Sequence, residues 1–372
     1  MLEFKEIITY IFAIGAAQAV FLFFILWRKK ENSFANKFLA ATMIIFALDL
    51  FAGVSYLSGF ISKIPWILGY KSSFPYLYGP LIYLYVVFLI HKQDSFVASD
   101  YLHFIPFVII QIYGIFFFYF ESLEFQLSLL NPNIPNPWHI EIIGKLIPIH
   151  GLTYMVFTVL LIIKFNKNIR NSFANIEHID FSWLFYLVLG TAVIWIVVVL
   201  SYMLDFVYGE DIHAHLLIYI TLSVFLYSFA FKSYKQPEII FRANGEDSQT
   251  YKKSGLSDEK AEEILNSVID YMNSNKPFLD TKLSLSELAS KLNLSTHNLS
   301  EVINTKLNKN FYDFINSYRV EEVKQLIESD KDLTFSILAH GYEAGFTSKS
   351  AFYSAFKKFT GITPAKYRQS IS

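Results

Sequence analysis

Gly341 to Arg368 reads GYEAGFTSKSAFYSAFKKFTGITPAKYR. Gly345 supplies a turn, and behind it Phe352, Phe356 and Phe359 recur at i, i+4 and i+7, the spacing of one buried helical stripe. The opposite face then carries Ser348, Lys349, Ser350, Tyr353 and Lys357. Just upstream, Ile337 and Leu338 anchor a shorter helix, and Gly341 takes the small position where two helices cross. From Phe346 onward there are five basic residues and no acidic one, so phosphates would find their counter-charge here. The pattern is a helix-turn-helix whose second helix is suited to a DNA groove, N-terminal end first.

Working outward, the pattern occurs a second time in LSLSELASKLNLSTHNLSEVI, Leu283 to Ile303. Leu288, Leu292, Leu294, Leu299 and Val302 form the apolar skeleton, Ala289 is small at the crossing, and Asn293 takes a left-handed turn. Ser286 and Ser295 are the expected helix caps. The second helix, from about Thr296 to Leu307, is expected to present Thr296, His297, Asn298, Glu301 and Asn304 outward. Between the two units runs NFYDFINSYRVEEVKQLIES, Asn310 to Ser329, with Phe311, Phe314, Ile315, Tyr318 and Leu326 along one side. Twenty helical residues measure about 30 Å, close to one turn of duplex DNA, so one chain can address two successive major grooves. Residues 258–273 read as an amphipathic packing helix.

From Thr281 onward, Lys and Arg outnumber Asp and Glu by twelve to nine. Lys357, Lys358 and Arg368 are expected to meet phosphates. His297, Asn298, Glu301, Ser348, Lys349 and Tyr353 are the candidates for base edges, with Ser350 beside them.

Asp280 to Arg368 resembles the DNA-binding domain of AraC-family transcription regulators. The resemblance rests on Gly345, Phe346, Ser350, Phe352, Phe356, Lys357, Gly361, Pro364, Tyr367 and Arg368, and it covers about a quarter of the chain. It implies two helix-turn-helix units joined by a long helix, binding double-stranded promoter DNA and often acting through RNA polymerase. His340 and Gly341 replace the usual Ile-Ala, and Asn308 stands where that family commonly has glycine. The N-terminal region is similar, more weakly, to the membrane portion of some AraC-type regulators of Bacteroidetes, through FPYLYGPLIYLY and YKQPEIIF.

The rest of the chain is of another kind. The sequence is 53% hydrophobic and 18% aromatic, with a mean hydropathy of +0.37, well above a soluble norm. Seven apolar runs account for this: residues 7–27, 38–60, 74–90, 102–120, 146–163, 181–204 and 216–231. The first is too long for a cleaved signal segment and has its basic residues behind it, so it reads as a retained helix. With the N-terminus outside, eleven Lys/Arg fall in inner segments and four in outer ones, which places the C-terminal domain in the cytoplasm of a bacterial inner membrane.

The expected fold class is therefore all-α: a polytopic bundle of about seven transmembrane helices (1–233), a flexible linker (234–257), and a cytoplasmic domain (258–372) with helix-turn-helix units at about 285–307 and 335–360. As a flexible coil the linker would span about 25 to 30 Å.

Asp49, Gln18, Gln111 and His150 lie at membrane depth, where polar groups either fix helix packing or take part in sensing or ion coupling. Both readings of Asp49 stay open. His213 and His215 form the single pair resembling a metal site, set against a solvated loop. There is no cysteine and no HExxH, GxSxG or P-loop pattern, so neither an enzyme nor a bound cofactor is expected. The reading is a membrane-tethered DNA-binding regulator answering an unknown small-molecule or protein signal, with homodimerisation as one route. The alternative is a transporter or membrane receptor whose helical domain reports to a protein partner.

Overall fold

The computed structural model describes residues 2–130, 134–176, 182–208, 215–233, 256–330, 332 and 334–371. Among them there is no strand, and the regular elements are helices. The chain forms two compact units, one of Met1–Ile162 with Phe181–Ile239, the other of Ile163–Asp180 with Ile240–Ser372.

The first unit contains α1 (Leu2–Arg28), α2 (Ser33–Leu57), α3 (Ile67–Ser73), α4 (Pro75–His91), α5 (Ile105–Gly114), α6 (Leu123–Ser128), most of α7 (Trp138–Ser172), α8 (Ser182–Tyr208) and α9 (His215–Ser233). Its long helices carry apolar side chains both inward and outward. In α1, Phe12, Leu22 and Leu26 are buried while Phe21 and Phe24 stand outward. The same holds for Ile109 and Phe116 near α5, Leu160 in α7 and Phe206 in α8, all exposed. A helix apolar all round is stable only in a large core or in hydrocarbon. Inside, Phe12 meets Tyr219 with ring centroids 5.2 Å apart and Phe38 meets Phe88 at 4.7 Å, which pins α1 to α9 and α2 to α4.

Among the described residues five helical stretches are long and apolar enough to cross a membrane: Lys5–Arg28, Ser33–Leu57, Ala98–Tyr119, Trp138–Ser172 and Leu184–Leu204. Pro75–His91 and Leu216–Phe229 are apolar but shorter. These seven fall on the seven apolar runs of the sequence. Pro148 and Pro80 both lie inside helices, α7 and α4, without ending them. The fifth run is consequently longer than hydropathy alone suggests, 35 residues beginning at Trp138.

The second unit holds the last turns of α7, then α10 (Asp258–Asn275), α11 (Leu285–Lys291), α12 (Thr296–Lys306), α13 (Phe311–Ser329), α14 (Ile337–Glu343), α15 (Lys349–Thr360) and α16 (Pro364–Ile371). It is built as water-soluble helices are. Side chains of Ser257, Ser284, Ser295, Asn310, Ser336 and Ser348 each accept the hydrogen bond of a first-turn N–H. Ser284, not Ser286, caps α11; Leu285 already turns into the core, so the helix begins one residue before Ser286.

Two separate cores result. Ile264, Val268, Leu288, Leu299 and Val302 pack with Phe311, Phe314 and Ile315 of α13. Phe346, Phe352 and Phe356 pack with Val320, Val323 and Ile327 of the same helix. Leu326, expected on the buried side, is half exposed, because the helix turns its Val320–Val323–Ile327 row to the second core. Of the expected linker, 234–255 lies outside the described residues, and so does His213; His215 opens α9.

Candidate nucleic-acid interface

Each half of the second unit is a short helix, a tight turn and a longer helix. In the first, the turn that follows α11 falls at Asn293, whose φ of 53° is left-handed. The bend returns the chain so that Ser295 caps α12, and Leu299, Val302 and Ile303 seal α12 to the core. In the second, the turn residue is Gly345 at φ 93°. A Cβ there would lie 2.7 Å from the Phe278 carbonyl oxygen and 2.8 Å from that of Leu279, so glycine is required by both conformation and space. Gly341 of α14 lies directly over Phe352, where a Cβ would come within 2.8 Å of the ring. An alanine at this crossing would have to push the Phe352 ring aside.

His340 beside it is buried, yet its Nε2 lies 3.0 Å from Asp330 Oδ2. The same carboxylate accepts the N–H groups of Thr334 and Phe335 at 2.8 and 3.0 Å. Those bonds, first that of Phe335, hold the Asp330 carboxyl below the ordinary carboxylate range. The polar pair thus closes the connection from α13 to α14.

The second longer helix, α15, turns Phe352, Ala355 and Phe356 inward and leaves Phe359 half-buried. Its outer face carries Lys349, Ser350, Ser354 and Lys357, all exposed. Lys349 Nζ lies 5.6 Å from the Tyr353 ring centroid, a cation over an aromatic face. Lys358 is engaged elsewhere, 2.7 Å from Asp313 at the start of α13. Arg368 Nη1 reaches the Phe335 carbonyl at 3.5 Å. The neighbouring Tyr367 hydroxyl donates to Glu328 at 2.5 Å, and burial, reinforced by that carboxylate, pushes the phenol up to about 12.

On α12, His297 is the most outward of the candidates, its side chain 56% exposed, whereas that of Glu301 is 17% exposed. Glu301 is drawn into a cleft of about 300 Å³ with Asp258 and Ala261 of α10 and Thr305 and Lys306 of its own helix. It therefore does not face outward as its helical position implied, because α10 covers that side. Asn304 donates back to the Ser300 carbonyl at 2.7 Å. Thr296 and Asn298 are half-buried beside the Ser295 cap.

Residues 288–370 match the family described as a helix-turn-helix domain. An HTH-type transcriptional regulator of Staphylococcus aureus (strain COL) is 34% identical over 117 residues, 31% of this chain and 14% of that protein. The Msm operon regulatory protein of Streptococcus mutans is 30% identical over 114 residues, 30% of this chain and 40% of that protein. Residues 288–370 are a helix-turn-helix domain of the AraC type. The chain thus spans well under half the length of these relatives. The C-terminal domain of AraT, a response regulator from Geobacillus stearothermophilus, is 28% identical and covers 32% of this chain and 88% of that structure, with a TM-score of 0.26.

Within the AraC-type domain, the structure brings Ser348, Lys349, Ser350, Tyr353 and Lys357 together on one helix face, and Ser354, not singled out in the sequence, belongs with them. Asn308, at φ 51°, adopts the left-handed conformation that explains glycine's usual place there. Arg319 had no visible signal. Charged and mid-helix, it is 1% exposed.

In the first unit, three of the four polar residues at depth each touch a different residue of α3 or α4. Gln111 Nε2 donates to Ser73 Oγ at 2.7 Å, the His150 ring lies 5.1 Å from that of Tyr76, and the Tyr78 hydroxyl donates to the Asp49 carboxylate. Gln18 lies apart from them, with Nε2 3.5 Å from the Leu226 carbonyl.

Proposed function

We propose that this chain is a membrane-tethered, sequence-specific DNA-binding transcription regulator. The observation that carries the reading is one chain holding both an AraC-type domain and a helical unit whose apolar side chains face outward. The seven apolar helices span the bacterial inner membrane with the N-terminus outside. Lys164, Lys167 and Arg170, which the charge rule assigns to the inner side, belong to the same compact unit as the DNA-binding helices, which supports a cytoplasmic C-terminal domain.

In this reading α12 and α15 enter successive major grooves of promoter DNA. His297, Asn298, Ser348, Lys349, Ser350 and Tyr353 reach base edges, while Thr296, Glu301 and Asn304 shape the surface of α12 behind them. Lys357, Lys358 and Arg368 meet or steer phosphates. RNA polymerase is the downstream partner, and a homodimer would raise affinity by placing two domains on one operator. The signal acts at the α3–α4 junction, where Asp49, Gln111 and His150 meet Tyr78, Ser73 and Tyr76. A ligand or neighbouring protein preferring one arrangement there would shift the population of the whole bundle.

Chromatin immunoprecipitation of the full-length protein, with the membrane fraction assayed in parallel, tests this. Discrete promoter peaks from an uncleaved membrane-resident protein are expected, and Lys349→Ala with Tyr353→Ala should weaken them about tenfold or more. Uniformly flat enrichment under all growth conditions would overturn DNA as the partner.

A further inference from the structure

Four residues after α7, Phe173 to Ile176, lie against the DNA-binding helices. Phe173 forms an antiparallel bridge with Ser284, and the Ala174 N–H donates to the Leu283 carbonyl at 3.2 Å. The Ala174 carbonyl accepts from Arg319 Nη1 at 3.2 Å. Asn175 Nδ2 donates to Thr347 Oγ1 at 2.7 Å. In the last turn of α7 the Arg170 guanidinium lies 5.7 Å from the Tyr312 ring centroid. Ala174 itself is fully buried in the first core.

Besides Tyr312 at the start of α13, these contacts fall at three places with distinct roles. Ser284 caps the first helix-turn-helix, Thr347 immediately precedes the cap of α15 in the second, and Arg319 sits in the middle of α13 between the two cores. Arg319 gathers them: its Nε donates to the Phe278 carbonyl at 2.7 Å and its Nη2 to the Asp280 carbonyl at 2.9 Å. The Gly345 turn closes over the same carbonyl of Phe278. The two cores share only α13, so α13 and the contacts across its middle fix how far apart α12 and α15 stand. An extended segment hydrogen-bonded to both halves and to the middle of α13 adds the constraint that a single shared helix lacks.

We infer that Phe173–Ile176 is a built-in strap that sets the spacing of the two reader helices, with Arg319 as its positioning residue. Its occupant is this chain's own loop between α7 and α8. Because α7 runs unbroken from Trp138 to Ser172 into the strap, a shift or rotation of that helix end is delivered to the reader spacing. The link to promoter choice rests on the DNA-binding reading above; the strap's mechanical role does not.

The chain contains no cysteine, so labels can be placed at will. The full-length protein in lipid nanodiscs would carry spin labels at Thr305→Cys on α12 and Ser354→Cys on α15, and their separation would be read by pulsed electron–electron resonance. A single narrow distance is expected. Ala174→Arg, too large for its buried position, should at least double the width of that distribution while amide exchange shows α11 and α15 still folded. Asn175→Ala, which removes one side-chain bond and fills no space, should broaden it less. Should Ala174→Arg unfold the unit, Asn175→Ala decides: broadening supports the strap, and an unchanged distribution overturns it. Separately, Asn175→Cys with Thr347→Cys should form an intrachain disulfide on mild oxidation in the membrane; failure to do so would overturn the docking. Neither readout involves DNA, so absent promoter enrichment with a broadened distance would reject the DNA reading and keep the strap.

Discussion

The two helix-turn-helix halves solve one geometric problem with different tolerances. In the first, the turn residue is an asparagine at φ 53°, and the half is held by apolar packing against α10 and α13. In the second, the turn is a glycine at φ 93° pressed on two backbone carbonyls, another glycine lies under Phe352, and a buried imidazole–carboxylate pair closes the entry to α14. The first half therefore has slack where the second has none. The second is also the half with the exposed basic face, so the rigid partner carries the charged reader.

Gly345→Ala tests this difference most severely. The left-handed backbone costs about 1 to 2 kcal/mol for a residue with a Cβ, and collision with fixed carbonyls adds about 1 to 3 kcal/mol. A destabilisation of about 3 kcal/mol or more is expected in denaturant titration of the full protein, against about 1 kcal/mol for Asn293→Ala. Acid separates the halves next. Because the folded Asp330 carboxyl sits below its ordinary value of 3.8, its stabilising contribution is present above that value and is lost as pH falls through the lower folded one. Hydrogen exchange measured while lowering pH from 5 to 2 should show α14 and α15 losing protection before α11 and α12, and Asp330→Asn should abolish that order.

Gly341→Ala gains up to about 1 kcal/mol of helix propensity but forces Phe352 aside at about 1 to 3 kcal/mol, for a net loss of about 1 kcal/mol by thermal melting. The smallest effect is expected for Asn293→Gly, within about 0.5 kcal/mol. A large loss there would show that the first turn is as tightly determined as the second.

What the sequence made legible follows from the range of the physics involved. Turns, caps and helical stripes depend on neighbours within about four positions, so Asn293, Gly345, Ser295 and the Phe352–Phe356 stripe could be read directly. The Ser284 cap was missed by two positions because Ser284 and Ser286 are chemically alike, and only the inward turn of Leu285 separates them. Glu301 was misplaced because α10 covers it from some forty residues away in sequence. Arg319 and the strap were invisible for the same reason in stronger form. Ala174 finds its partners at Leu283 and Arg319, and nothing in the local composition of NSFANI announces them. The apolar runs of the first unit were plain, and α4 with Pro80 inside kept the extent its run implied, but the fifth run is far shorter than α7, since Pro148 does not end that helix.

The strap also fixes an order in time. Ala174 leaves the ribosome more than a hundred residues ahead of Leu283 and Arg319, an interval of about 5 to 30 s at synthesis rates of roughly 5 to 20 residues per second. Throughout that interval α8, α9 and α10 are being made while the strap has nothing to bind. Its closure is then among the last steps in the maturation of the chain, and a nascent protein cut short before Thr347 would carry a complete first reader that is never brought to register with a second.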